Sequence, residues 1–174
     1  MTLLRWVSRS AIALCLVSCQ TQPSNLASSA VTASAQTVVQ AETQTGGNFA
    51  TVTAVEATAG EPGAYTFAVT VQSPDTGCDR YANWWEVISA EGDLIFRRIL
   101  AHSHVDEQPF RRAGGSVAVQ PDQTVIIRAH MQPTGYGNQA MQGSIDAGFS
   151  SVQLPDGFAA NLAQAAPQPL GCDH

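Results

Sequence analysis

Lysine is absent from this chain of 174 residues, and its 8 basic residues, all arginine, stand against 14 acidic residues. The formal charge is -6, and only 13% of the residues are charged. Proteins that bind nucleic acids depend on a surplus of cations to displace phosphate counterions. The composition therefore argues against a nucleic-acid partner, and the length fits one compact domain.

Long apolar runs are also missing, and the run Ala11–Val17 near the N-terminus is too short to cross a bilayer. It follows Arg5 and Arg9, a pattern that is typical of a signal peptide. The run ends in Leu16-Val17-Ser18-Cys19, which resembles the lipobox of bacterial lipoproteins. We therefore predict a lipoprotein signal peptide over residues 1–18.

The lipobox resemblance implies that the thiol of Cys19 receives a diacylglycerol and that cleavage leaves Cys19 as the first residue of the mature chain. Acyl chains at this end anchor a protein to a membrane. We expect a lipid-anchored protein of the bacterial cell envelope that faces either the periplasm or the exterior. The alternative is an ordinary secretory signal cut at a nearby small residue, and it also exports the chain.

The segment after Cys19 has a composition unlike that of a folded domain. Residues 20–47 contain no aromatic side chain and one acidic side chain, Glu42, and they follow no sustained period of 2 or 3.6. Such a segment cannot bury enough apolar surface to order itself. We predict a disordered tether over residues 19–48 and a folded domain over residues 49–174.

The folded part is rich in short runs of β-branched and aromatic residues, separated by Gly, Pro, Asp and Asn at intervals of about ten residues. This spacing predicts an all-β domain, namely an immunoglobulin- or fibronectin III-like β-sandwich of about seven strands. A short helix over residues 156–166, or a tail, is expected to end the chain. The predicted strands are Ala50–Ala57, Ala64–Gln72, Asn83–Ser89, Leu94–Ala101, Ser116–Val119, Thr124–Met131 and Gln142–Ala147.

Side-chain alternation predicts which residues face the core. The strand Thr124–Met131 is expected to be half buried, with Arg128 and His130 on its polar face. Trp84 and Trp85 are adjacent, so one ring points into the core and the other points outward, where we expect it to pack under a loop. The predicted inward set of the strand is Val125, Ile127, Ala129 and Met131.

Cysteine is scarce, with four residues in the chain. Cys15 is lost with the signal peptide and Cys19 is lipidated, which leaves Cys78 and Cys172. An exported protein with one remaining pair is expected to form a disulfide. The bond would close a loop of about 95 residues and stabilise the fold by roughly 4 kcal/mol.

One polar segment has the residue types of a metal site. If a strand continues to His104, then His102 and His104 project from the same face about 7 Å apart along the strand. Glu107, and His130 on another strand, would complete a site for zinc or copper. The alternative is a hydrogen-bonded polar network that fixes the connection between strands, with Phe110 in the core. On that alternative the chain has no cofactor.

The sequence contains no catalytic motif: Gly-x-Ser-x-Gly does not occur, and no glycine-rich phosphate loop is present. We therefore expect a non-enzymatic binding or interaction module with a protein or glycan partner, and a metal-binding protein is the alternative. The segments Tyr81–Val87, His102–Phe110 and Arg128–His130, with Gly135–Gly137, resemble a family of small exported bacterial proteins of no assigned function. That resemblance covers about residues 76 to 145 and implies no activity or ligand.

Overall fold

A computed structural model describes residues 47–173 of the chain. The predicted signal peptide, Cys19 and the predicted tether up to residue 46 lie outside the described residues. The described part contains nine strands and one short 3-10 helix, Ala160–Gln164. The strands are β1 (Thr51–Ala59), β2 (Ala64–Gln72), β3 (Tyr81–Ser89), β4 (Leu94–Ile99), β5 (Phe110–Ala118), β6 (Val125–Gln132), β7 (Gly135–Tyr136), β8 (Gln139–Ser144) and β9 (Gly148–Gln153).

The strands form two antiparallel sheets. The smaller sheet has the order β1-β2-β5, and the larger has the order β4-β3-β6-β8-β9 with β7 paired to β6. In chain order these sheets correspond to strands A-B-E and C′-C-F-G of the immunoglobulin-like sandwich, followed by one additional edge strand. The predicted all-β sandwich is confirmed. Its strand count exceeds the expected seven because β7 and β9 were not foreseen.

Strand β5 differs most from its prediction, because it begins at Phe110 and not at Ser116. A Gly-Gly pair is a turn signal, but the turn that Gly114-Gly115 predicts is wrong: both residues lie inside the strand, opposite β2. A Cβ atom on Gly114 would approach both Trp85 and Phe96 to 3.0 Å. Glycine is required here by close packing between the sheets, and not by a turn.

The main core lies between the two sheets. Trp85 is fully buried there, and Phe110 at the start of β5 is also in this core, as expected. The predicted inward set of β6 is confirmed. Buried members contributed by β6 are Val125, Ile127, Ala129 and Met131.

The other face of the larger sheet is buried as well, so the prediction that β6 is only half buried was wrong. Residues 154–173, here called the strap, follow β9 and cover this face. Arg128 is 1% exposed and His130 is 7% exposed. A second apolar cluster packs beneath the strap, and it comprises Ile88, Ile126, Ala140, Leu154 and Leu162.

Covalent and backbone bonds fix the end of the strap. Cys78, in the loop before β3, forms the predicted disulfide with Cys172, and the two Cα atoms are 5.5 Å apart. The backbone N–H of Asp173 donates to the carbonyl of Ala101 at 2.6 Å. The expected helix over residues 156–166 is reduced to one 3-10 turn. Across residues 47–173, no helix has the length and hydropathy needed to span a bilayer.

Candidate binding cleft on the outer face of the larger sheet

A buried carboxylate on β3 organises the outer face. Glu86 is fully buried and lies between Arg97 on β4 and Arg128 on β6. Arg97 donates from Nε and Nη2 to Glu86 Oε2 at 3.0 and 2.7 Å, and Arg128 Nε donates to Oε1 at 2.9 Å. Two cations therefore share one anion in a place where solvent does not screen them.

The remaining donors of both guanidinium groups hold the strap. Arg97 Nη2 donates to the carbonyl of Leu162 at 2.6 Å, and Arg128 Nη1 donates to that of Phe158 at 2.6 Å. The Leu162 carbonyl also accepts from the backbone N–H of Ala165, so Arg97 adds a second bond to it. Further strap carbonyls accept from the same two side chains, and they belong to Ala159, Ala165 and Pro167.

Aromatic side chains form a layer beside this ionic cluster. Trp84 is the outward ring of the tryptophan pair, and it packs under the strap as expected, with 2% exposure. The Arg97 guanidinium lies 4.3 Å from the Trp84 ring centroid, and His130 stacks on Trp84 at 3.8 Å. The Tyr136 ring packs edge to face against His130, and the Arg128 guanidinium lies 3.6 Å from the Tyr136 ring centroid. Cation-π contacts thus extend the cluster into the neighbouring side chains.

His130 is held as a neutral imidazole. Burial, together with the positive charges of Arg97 and Arg128, lowers the pKa of His130 to about 4. Its Nδ1 lies 2.7 Å from Asn83 Oδ1, which is an acceptor. Nδ1 therefore carries the proton and Nε2 is an acceptor near neutral pH. Burial and the negative charge of Glu86 raise the pKa of Tyr136 to about 12, so its hydroxyl also stays protonated.

A cleft of about 610 Å³ opens between this layer and the strap. The sheet forms one wall and residues 163–172 of the strap form the other. Among residues 47–173, no Asp, Glu, Lys or Arg lines the cleft, and the two cysteines that line it are joined in the disulfide. Its lining comprises Cys78, Tyr81, Asn83, Trp84, His130, Gln132, Pro133, Gly135, Ala163, Gln164, Gln168, Pro169, Leu170, Gly171 and Cys172.

The structure separates the residues considered for a metal site. His102 and His104 lie side by side, with ring centroids 4.6 Å apart, beyond the end of β4 at Ile99. They line a groove together with Glu107, whereas His130 lines the cleft under the strap. Among residues 47–173, no group of three or more His, Cys, Asp or Glu side chains is arranged to hold a metal ion.

Other interactions occupy the members of the first group. Glu107 accepts from Arg112 at 2.7 and 2.9 Å, and this bond lowers the pKa of the Glu107 carboxyl. The His104 ring stacks on Phe110 at 3.8 Å, and burial, followed by the nearby charge of Arg112, lowers its pKa. The backbone N–H of His104 donates to buried Asp75 at 2.8 Å. Polar contacts therefore surround the buried Phe110, but both ring nitrogens of His104 are buried without a hydrogen-bond partner in the described part of the chain.

Sequence reasoning missed the residue at the centre of the outer face. Glu86 is a carboxylate within a strand of aromatic and aliphatic residues, Tyr81–Ser89. A charge at such a position must either face solvent or meet a buried partner. The signal was therefore present, but Arg97 and Arg128 become its partners only through the order of the strands.

The chain is similar to a protein named "Putative lipoprotein" from the archaeon Halomicrobium mukohataei. The two are 34% identical over 110 residues, which is 63% of this chain and 49% of the relative. The chain thus spans about half the length of this relative. No protein-family profile matches the chain. No solved structure matches it either.

Proposed function

We propose that this chain is an exported lipoprotein, anchored in the cell envelope by lipid on Cys19, and that its β-sandwich is a non-enzymatic binding module. The match of Leu16–Cys19 to the lipobox supports lipidation. The name of the Halomicrobium relative agrees with it. The acidic composition supports anchoring by lipid, because such a chain is not drawn electrostatically to anionic headgroups.

The cleft between the larger sheet and the strap carries the proposed binding role. It is a concave site that is largely pre-formed, because buried bonds to Arg97 and Arg128 hold one wall and a disulfide closes its end. In the part of the chain that the structure describes, its lining combines aromatic rings with uncharged polar groups and contains no carboxylate or free thiol. This chemistry favours reversible binding over general acid-base or nucleophilic catalysis.

Metabolic labelling tests the anchoring. The full chain is produced in a bacterium that processes lipoproteins, in the presence of an alkyne fatty acid, and the label and membrane fraction are measured. We expect Cys19→Ser to abolish the label and to release the protein from membranes. Cys15→Ser is the matched control, because it removes the other thiol of the same segment and should leave both unchanged.

Two results would contradict the anchoring proposal. The first is label that persists in Cys19→Ser, which would place the acyl chain elsewhere. The second is a wild-type chain that is exported without label, which would identify an ordinary secretory signal.

A further inference from the structure

Two hydrogen-bonding atoms on the floor of the cleft belong to largely buried residues and have no partner within residues 47–173. Tyr81 is 4% exposed, and within residues 47–173 its hydroxyl has no hydrogen-bond partner. Burial, with Asp75 and Asp173 nearby, raises the pKa of Tyr81, so the hydroxyl remains a donor. His130 Nε2 likewise has no partner in the described part of the chain. Neither atom is among the enclosed, unpartnered side-chain atoms of the described residues, so both are accessible from the cleft and available to a ligand or to water.

Side-chain amides face the cleft from both walls. Gln132 at the end of β6 belongs to the sheet wall, and Gln164 belongs to the strap wall. Within residues 47–173 neither amide forms a side-chain hydrogen bond. Each amide both donates and accepts. With Tyr81 and His130 they form a set of donors and acceptors that matches hydroxyl groups, which also do both.

The charge pattern selects against ionic ligands. Arg97 and Arg128, whose charges act on His130, direct their donors to Glu86 and to strap carbonyls, and they do not line the cleft. An ionic ligand would lose hydration here without meeting an opposite charge, which is costly. The cleft is therefore suited to an uncharged ligand.

The position of the cleft also disfavours an extended peptide. Peptides commonly bind by adding a strand to a free sheet edge. At the cleft, Trp84 on β3 pairs with both β4 and β6, and His130 on β6 pairs with both β3 and β7. Within residues 47–173 neither position has a free strand edge, whereas Tyr81 and Gln132, at the strand ends, pair on one side alone. The apolar rim, formed by Pro133, Pro169 and Leu170, instead offers a surface that the C–H face of a sugar ring can cover.

We infer that the cleft binds a neutral oligosaccharide, with ligand hydroxyls bonded to Tyr81, His130, Gln132 and Gln164. The inference rests on the binding role proposed above and specifies its ligand class. The strap is essential to it, because Gln164 supplies the only one of these groups that does not come from the sheet.

Protein-observed NMR on the full chain in detergent tests the inference. The neutral probes are maltotriose, cellotriose and chitotriose; trigalacturonate is the acidic probe, and acetyl-tetra-alanine amide is the peptide probe. We expect at least one neutral trisaccharide to give saturable shifts of the Tyr81 and His130 ring signals. Tyr81→Phe and Gln164→Leu should each weaken that binding about tenfold. Gln153→Leu is the matched control, since this exposed glutamine on β9 lies outside the cleft.

Each other outcome overturns the inference. No saturable shift with any neutral trisaccharide up to about 20 mM excludes this ligand class at meaningful affinity. Sugar binding that Tyr81→Phe and Gln164→Leu leave unchanged places the site elsewhere. If only the peptide shifts the Tyr81 and His130 signals, the ligand class is wrong while the binding role stands. Anchoring is judged separately, by the Cys19 label.

Discussion

Acidification should destabilise this protein through His130. The pKa of this imidazole is lowered from 6.5 to about 4 by burial and by the charges of Arg97 and Arg128. In the unfolded chain the imidazole has its ordinary pKa. Between pH 6.5 and 4 the unfolded state therefore binds a proton at His130 that the folded state does not bind. Stability is therefore full above pH 6.5, and it falls as the pH drops toward 4.

The structure sets the size of this effect. Each pKa unit corresponds to about 1.4 kcal/mol, so the shift of His130 should remove about 3 kcal/mol of unfolding free energy between pH 7 and pH 4. Because His130 is 7% exposed, solvent screening reduces this value little. Such a loss is a large part of the stability of an ordinary domain.

Urea unfolding, followed by tryptophan fluorescence, measures the effect in the full chain with its disulfide intact. The comparison is with His130→Gln, which cannot titrate but retains a polar side chain. We expect the loss of stability from pH 7 to pH 4 to be about 3 kcal/mol smaller in the variant. Other groups, including His104, titrate in both proteins and cancel in the difference. An equal loss in the two proteins would refute the account of His130 as a buried neutral imidazole.

Three further changes test the fold, each followed by urea unfolding of the full chain. Glu86→Gln should lower the free energy of unfolding by about 3 to 5 kcal/mol, because it leaves two buried guanidinium groups without their anion. A decrease below about 1 kcal/mol would contradict the ionic cluster. Replacing Cys78 and Cys172 together by serine should cost about 4 kcal/mol through the loop that the bond closes, whose sequence separation is 94, and unchanged stability would argue against the bond. Gly143→Ala should lower the free energy of unfolding by roughly 1 to 3 kcal/mol, because the new Cβ would collide with a backbone carbonyl of β9. Gly47→Ala is the control: its Cβ would meet no atom within 4 Å, so stability should be nearly unchanged.

Local sequence patterns were sufficient to predict strand bounds and inward-facing residues where one face of a strand is apolar and the other is polar. Strand β2 was predicted with the bounds that it has, Ala64–Gln72, because turn residues flank a run of β-branched and aromatic residues. The inward face of β6 also followed from alternation. These features depend on neighbours in the sequence, and no knowledge of the tertiary structure was needed.

Features that depend on distant contacts were not predictable. Gly114 and Gly115 carry a turn signature, yet both lie inside β5, which pairs with β2, and Trp85 lies close to Gly114. The outer face of β6 has a polar sequence, yet it is buried, because Arg128 and Glu86 neutralise each other under a strap that follows much later in the chain. The disulfide was predicted from cysteine counting alone, but the cleft that it closes was not.

The candidate site was only partly anticipated. His130 was singled out as a metal ligand with His102 and His104, but it lies beside Trp84 in the cleft, whereas the other two line a separate groove. Zinc titration checks the consequence: since residues 47–173 contain no suitable group of three ligands, we expect no stoichiometric binding at micromolar affinity. Tight zinc binding by the wild-type chain that is lost in His102→Ala would instead support the predicted metal site.

The central claim is that the strap is a fixed wall of the cleft, held by Arg97, Arg128 and a disulfide. Hydrogen exchange of the full chain, read by mass spectrometry on peptides that cover residues 154–173, tests this claim directly. Backbone amides of Leu154, Leu162 and Ala165 donate hydrogen bonds, so they should exchange many times more slowly than in an unfolded peptide. Exchange at the unfolded rate throughout the strap, with the strands still protected, would contradict the account.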